Sequence, residues 1–283
     1  MKKIEIILST YNGGQYLRRQ LDSLFSQTYT SWHLTIRDDG SLDDTMQIIS
    51  DYASCHPDKI SIDKSSGHNI GVIKSFELLL ASSDSNCRYF MFCDQDDVWL
   101  PNKISNTYNK IVELERLYGT DTPLMVHTDL VVVDEQENII DQSFWHYTNI
   151  RPQLLDPNPR LLSICNSATG CTIMINRASR NIVLPFPANI MMHDAWIAAA
   201  VCRKGKVCGL QEQTILYRQH HSNTLGAVKY THNPLKKIFN LGRVLRETDQ
   251  IYKSYPNIFH NRLEIFLTKI HYSLILFFTK STN

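Results

Sequence analysis

The sequence has no C-x-x-C pair, almost no excess of one charge and no long apolar run, and each absence removes a class of protein. Its seven cysteines (55, 87, 93, 165, 171, 202 and 208) form an odd set without zinc-ligand spacing. Neither a disulfide framework nor a zinc knuckle is expected, and a reducing, cytoplasmic setting fits them. Lys plus Arg total 29 against 28 Asp plus Glu, a formal charge of +1 over 283 residues, so no nucleic-acid partner is expected on electrostatic grounds. Only 11 glycines and 10 prolines accompany 43% hydrophobic residues, which excludes collagen-like and disordered chains. The opening Met1-Lys2-Lys3-Ile4-Glu5-Ile6-Ile7-Leu8 is interrupted by Glu5 and is shorter than a signal peptide's apolar core, so it reads as a strand. Leu274–Phe278 is far below the roughly 20 residues that span a bilayer, and no membrane crossing is expected.

What is present is a rhythm of short apolar runs and helical patterns over the first hundred residues, the signature of βαβ units on a parallel sheet. Strands are predicted at Ile4–Leu8, Trp32–Arg37, Ile60–Asp63 and Arg88–Cys93. Helices are predicted from about Gly14 to Gln27, at Asp43–Tyr52 and Val72–Leu80, and from Pro101 to Tyr118. After Pro123 the pattern becomes a hairpin, Leu124–Val133 with Asn138–Ile140, then strands at Cys171–Ile175, Lys206–Leu210 and Thr214–Arg218 and a helix at Ala195–Cys202. Residues 226–283 are expected to form a basic helical extension: nine Lys/Arg against three Asp/Glu give it a net +6, leaving −5 for residues 1–225. In it, apolar residues at 259, 263, 266, 267, 270, 274, 277 and 278 share one helical face. With Lys229, Lys236, Lys237, Arg243 and Arg246 ahead of any acidic residue, the segment suits peripheral contact with an anionic inner leaflet, or packs its stripe on the body with its charges in water.

Ligands of open parallel sheets bind beyond the carboxyl ends of the strands. Three such exits are polar: Thr10-Tyr11-Asn12, Asp38-Asp39 and Asp94-Gln95-Asp96-Asp97. Residues i and i+2 of an extended segment point the same way, so Asp94 and Asp96 are able to share one ion. Carboxylate oxygens suit Mg²⁺ or Mn²⁺, whose remaining positions are commonly filled by water and substrate phosphates. A solvated acidic turn ahead of a helix is the plainer alternative for the same loop.

Together these residues resemble family 2 glycosyltransferases of the GT-A fold. The resemblance runs from residue 3 to about 225 through Ile7-Leu8-Ser9-Thr10-Tyr11-Asn12-Gly13, Arg37-Asp38-Asp39-Gly40-Ser41-Leu42-Asp43-Asp44-Thr45 and Asn69-Ile70-Gly71. It continues through Phe92-Cys93-Asp94-Gln95-Asp96-Asp97-Val98-Trp99, Thr169-Gly170, His193-Asp194-Ala195-Trp196 and Tyr217-Arg218-Gln219-His220. The last two motifs and Asp-Gln-Asp-Asp-Val-Trp are most similar to the branch containing rhamnosyltransferases of bacterial cell-wall and capsule polysaccharides. The implied fold is α/β, a Rossmann-like mixed, mostly parallel sheet flanked by helices, with a C-terminal helical extension. The implied domains are a transferase domain at 1–225, with a nucleotide-sugar half at 1–120 and an acceptor and catalytic-base half at 121–225, followed by 226–283.

The resemblance also implies roles. Thr10, Tyr11, Asn12, Asp39, Asn69 and Asp94 bind the nucleotide sugar, with Asp39 accepting from the base and Tyr11 packing on it; Asp96, Asp94 and His220 hold Mn²⁺ or Mg²⁺. Asp194 is the catalytic base, and Trp99, Thr169, Gly170 and His193 lie toward the acceptor. The implied donor is dTDP-rhamnose or, on the same scaffold, a UDP-hexose, and the acceptor a glycan or lipid-linked glycan. Other readings of these residues exist. Asp194 also suits a helix N-cap, Asp39 a turn, His220 a hydrogen-bonded surface group and Trp99 a core aromatic.

Overall fold

Nine strands form one sheet in the computed structural model, which describes residues 3–84, 86–221, 241–255 and 257–279, leaving aside the side chains of 241–244 and 276–279. The strands are β1 (Ile4–Thr10), β2 (Trp32–Asp38), β3 (Ile60–Ile62), β4 (Tyr89–Cys93), β5 (Val98–Trp99), β6 (Leu124–Val133), β7 (Ile139–Asp141), β8 (Met174–Asn176) and β9 (Lys206–Arg218). Their order is β3-β2-β1-β4-β8-β6-β9-β5, with β7 paired to β6. The pairs β3·β2, β2·β1 and β1·β4 are parallel; β8 runs antiparallel to both β4 and β6, and β6·β9 is parallel again.

The helices are α1 (Gly14–Phe25), α2 (Thr45–Cys55), α3 (Val72–Ser82), α4 (Lys103–Tyr118), α5 (Phe144–Thr148), α6 (Pro152–Leu155), α7 (Pro159–Ile164), α8 (Arg177–Val183) and α9 (His193–Lys204). Two further helices cover Leu241–Ser254 and Arg262–Thr279. Alternation along β1 divides the core between the two sheet faces. Ile6 and Leu8 pack with Leu17, Leu21, Ile48 and Ile104 of α1, α2 and α4, whereas Ile7 packs with Phe76, Leu79 and Ile197 of α3 and α9. Both faces being covered explains why β1 and β4 are apolar almost throughout.

The later half departs from the sequence pattern in three places. Lys206–Arg218 is one strand whose pairing with β6 shifts register around Asp129, so the polar stretch at 211–213 is absorbed by irregular pairing and does not break the strand. The segment read as a strand from Cys171 begins as a 3₁₀ turn, Gly170–Thr172, and is extended only over Met174–Asn176. Val98–Trp99, too short to announce itself, pairs with Ile215–Leu216 and ties the acidic loop to the end of β9.

The C-terminal helices pack through Ile251, Tyr255, Phe259 and Ile265, with Tyr255 stacked on Trp196 of α9 at 6.4 Å between ring centroids. Ser254 Oγ donates to the Asn189 carbonyl at 2.6 Å. Apart from Phe259, the described part of the apolar stripe does not pack on the body: Leu263 is 63% exposed, Leu267 55%, Leu274 49%, Ile270 42% and Phe266 39%. The last helix carries apolar residues on two sides, and Ile265 and Tyr272, about 180° away from the stripe at 100° per residue, face inward. Lys229, Lys236, Lys237 and the side chain of Arg243 lie outside the described residues.

This division predicts unequal costs. Ile265→Ala should destabilise the protein by about 2–4 kcal/mol. Leu267→Ala should change stability by less than about 0.5 kcal/mol. Urea midpoints for the two variants check it, and equal shifts contradict the assignment of faces.

Candidate active site

The exits of β1, β2 and β4 are stitched into one rim by side chains. Gln95 accepts the Tyr11 amide at 2.8 Å through Oε1 and donates to the Tyr11 carbonyl at 3.1 Å. A β-carbon at Gly13 would lie 2.3 Å from that Oε1, so this clamp requires glycine there. Asn12, held at φ 48°, donates its amide to Ser41 Oγ and accepts the Leu42 amide on Oδ1, each at 2.8 Å. Asp38 closes its own turn by accepting the amides of Gly40 and Ser41 at 3.0 and 2.8 Å. Thr10 Oγ1 donates to Asp38 Oδ1 at 2.9 Å and is buried, so the Thr10 side chain shapes the loop and does not face a nucleotide.

Asp39 is buried and accepts from Arg37 Nη1 at 2.6 Å, the Ile70 amide at 2.8 Å and the Gly71 amide at 2.9 Å. Of the roughly four lone-pair positions on a carboxylate, one remains for another donor. Arg37, to which the motif assigned no role, also donates to Ser75 Oγ at 2.8 Å and the His68 carbonyl at 2.8 Å, pinning the 65–71 loop over β2. Gly40, at φ 85°, lets the Gly67 carbonyl and Asn69 amide approach to 3.4 Å of where its β-carbon would be. Tyr11 and Asn69 are exposed on this rim.

Acidic groups crowd the centre. Burial, then the charges of Asp96 and Asp194, push the Asp94 carboxyl up to about 7. Asp94 lies within 4.8 Å of Cys171 Sγ and Asp194 accepts the Gly170 amide, so the two carboxylates, a hundred residues apart in the chain, meet at the 170–171 turn. Asp96 Oδ2 lies 2.8 Å from His220 Nε2, and the His220 ring rests on Tyr16 at 4.9 Å. Arg218, another residue without an expected role, donates Nε to the Asp96 carbonyl at 2.9 Å, its amide to Asp97 Oδ1 at 3.2 Å and Nη2 to Glu137 at 2.9 Å. Hydrogen bonds from Arg19 oppose burial and, with Arg218, hold the Glu137 carboxyl down to about 2. The β6–β7 turn thus buttresses the acidic loop.

Asp194 opens α9. Burial pushes its carboxyl up to about 6, against the opposing effect of amide hydrogen bonds from Ala195 and Gly170. A β-carbon on Gly170 would lie 2.9 Å from His193 Nε2, so glycine is what lets the 169–170 turn reach Asp194. Two expected acceptor contacts are corrected here. His193 is 3% exposed between Phe76 and Phe92, at 4.3 and 5.6 Å, with neither ring nitrogen hydrogen-bonded; burial pushes it down to about 3, so it is a neutral packing group beneath Asp194. Trp99 is 1% exposed with Lys103 Nζ 4.5 Å from its ring centre, a core aromatic and not a platform for a sugar. Thr169 is half-buried and Gly170 buried, both beside Asp194.

The donor set tests the expected cation. Asp94, Asp96 and His220 supply two carboxylates and an imidazole, and a divalent ion would relieve the repulsion that raises Asp94. Among the described residues, ligand atoms of Asp94, Asp97 and Cys171 also lie within 4.8 Å of one another. That set is a poorer fit: burial holds the Cys171 thiol well above its usual value, keeping it protonated, and a thiol does not suit a hard cation.

The raised Asp94 carboxyl has a consequence for stability. Between the unfolded value near 3.9 and about 7 the folded protein holds a proton that the unfolded chain has lost, so stability falls as pH rises through that window. In EDTA, the melting temperature should drop by roughly 4 °C or more between pH 5 and pH 8. Asp94→Asn should reduce that slope, leaving the part that the raised Asp194 carboxyl contributes, and Mn²⁺ at pH 8 should restore the lost stability of the native chain. An unchanged slope in Asp94→Asn contradicts this reading.

Comparison with known proteins agrees with the architecture. The model of glycosyl transferase family 2 matches residues 5–177. The chain is 26% identical over 234 residues to the dTDP-rhamnosyl transferase RfbG of Shigella flexneri, covering 78% of this chain and 74% of that protein. It is 24% identical over 237 residues to the UDP-Glc:alpha-D-GlcNAc-diphosphoundecaprenol beta-1,3-glucosyltransferase WfaP of Escherichia coli, covering 81% and 82%. Among solved structures, the mannosyltransferase PcManGT of Pyrobaculum calidifontis, in complex with GDP-Man and Mn²⁺, superposes with a TM-score of 0.59 at 14% identity over 89% of this chain and 63% of that one. With the family model covering more than half its length, the chain belongs to glycosyl transferase family 2.

Proposed function

We propose that the chain is an inverting glycosyltransferase that moves L-rhamnose from dTDP-rhamnose to a hydroxyl of a bacterial surface polysaccharide or lipid-linked glycan. The observation that carries the reading is the meeting of the end of β4 and the start of α9 at one turn: Asp94 comes within 4.8 Å of Cys171 Sγ, and Asp194 accepts the amide of the adjoining Gly170. RfbG, described as a dTDP-rhamnosyl transferase, supports the donor. WfaP, whose name gives a UDP-glucose donor and a diphosphoundecaprenol acceptor, supports the second donor reading, a UDP-hexose, and the lipid-linked acceptor.

In this reading residues 1–120 bind the donor and residues 121–225 supply the base and the acceptor side. Tyr11 packs on the nucleobase, the remaining lone pair of Asp39 accepts its N–H, and Asn12 and Asn69 border the nucleoside. Asp94, Asp96 and His220 hold a divalent cation; Mn²⁺ or Mg²⁺, when bound, neutralises charge on the departing diphosphate. Asp194 takes the proton of the acceptor hydroxyl as that oxygen attacks the anomeric carbon. With its carboxyl at about 6, it is mostly ionised at pH 7 yet more basic than an ordinary carboxylate, which suits a base. The attacking oxygen enters opposite the leaving group, so the configuration inverts and no covalent intermediate is needed.

Incubation with Mn²⁺, acceptor extract and a panel of nucleotide sugars should release nucleoside diphosphate from dTDP-rhamnose most rapidly. Preference for a UDP-hexose replaces the donor assignment, and binding without any release supports a non-catalytic nucleotide-sugar-binding protein. Asp194→Asn should keep donor affinity and lower turnover by about 10²–10⁴. Asp96→Asn should weaken donor binding in the presence of Mn²⁺. Full activity in either variant removes that residue from its role.

A further inference from the structure

We propose that the outer face of the last helix, Leu263, Phe266, Leu267, Ile270 and Leu274, is a docking surface for an anionic lipid bilayer. This surface lies apart from the cleft, and the proposal does not depend on the identity of the donor.

The five side chains lie within an arc of about 100° at 100° per residue, and each is between 39% and 63% exposed. Contiguous apolar faces of this kind mark protein or membrane contacts, because leaving them in water is costly. The helix is anchored from behind by Ile265 and Tyr272, so the face is presented outward on a fixed support. From Leu263 to Leu274 the stripe runs about 17 Å at 1.5 Å per residue. No helix of the described residues is long and apolar enough to cross a membrane, so insertion is parallel to the surface and only to the depth of one face.

Charge selects the occupant. In the sequence, residues 226–283 carry a net +6 and residues 1–225 a net −5, so anionic headgroups favour the extension that bears this helix over the body. The acidic residues nearby are already compensated: Glu264 by Arg160, Asp249 by Lys253 and Arg262, and Glu247 by Lys269. A second copy is the poorer partner, since an isologous contact through this face would set two +6 segments against each other.

Sedimentation of the full chain with sucrose-loaded vesicles tests the proposal. Binding to phosphatidylcholine vesicles containing about 30% phosphatidylglycerol should exceed binding to phosphatidylcholine alone at least about tenfold and weaken with salt. Leu267→Glu with Ile270→Glu should lose at least about tenfold of it, and the milder Leu267→Ser should lose part, with circular dichroism and nucleotide-sugar turnover unchanged. Absence of binding to both vesicle types, or equal binding by native and double-variant proteins, overturns the proposal. A native dimer in light scattering that becomes monomeric in the double variant also overturns it and assigns the face to a second copy.

Discussion

Three carboxylates forced into one partly buried cleft are the constraint around which the rest of this structure is arranged. Burial first, and then the charges of Asp96 and Asp194, lift the Asp94 carboxyl to about 7. A site of this kind is stable only with positive compensation. His220 Nε2 lies 2.8 Å from Asp96, and a divalent cation is the natural compensation.

Holding such a site open demands supports that do not themselves react. Two buried arginines serve this purpose on opposite sides. Arg37 ties the 65–71 loop to Asp39, and Arg218 ties the backbone of Asp96 to the β6–β7 turn through Glu137 and the Glu135 carbonyl. Gln95 locks the first and fourth strand exits together, and the Gly170 turn presses against the imidazole of His193 beneath Asp194. Each support spans elements remote in sequence, so the cleft forms only when the sheet is complete.

The parallel first half was legible because its apolar runs alternate with helical spacing, and polar exits at 10–12, 38–39 and 94–97 stand out against them. Asp94, Asp96, Asp194 and His220 were singled out as one group only through the motif resemblance, since no local pattern links all four. The supports were not: the bonds from Gln95 to Tyr11 and from Arg218 to Asp96 join residues 84 and 122 positions apart, and no local periodicity encodes them. Trp99 and His193 were misread because adjacency to an acidic residue does not reveal which way a side chain points; on an extended or helical backbone the neighbour of a cleft residue faces the core. The stripe of the last helix was seen, but its direction was decided by Ile265 and Tyr272, fewer in number and better packed.

The central claim is that one cleft gathers a cation and a donor diphosphate within reach of Asp194. Anomalous diffraction from crystals grown with Mn²⁺ and dTDP measures this most directly. The account predicts a manganese peak bound by Asp96 and by both phosphates, with the base near Tyr11 and Asp39 and with Asp194 facing the terminal phosphate across the cleft. Manganese away from Asp96, or a nucleotide bound on a surface not shared with Asp194, would contradict it.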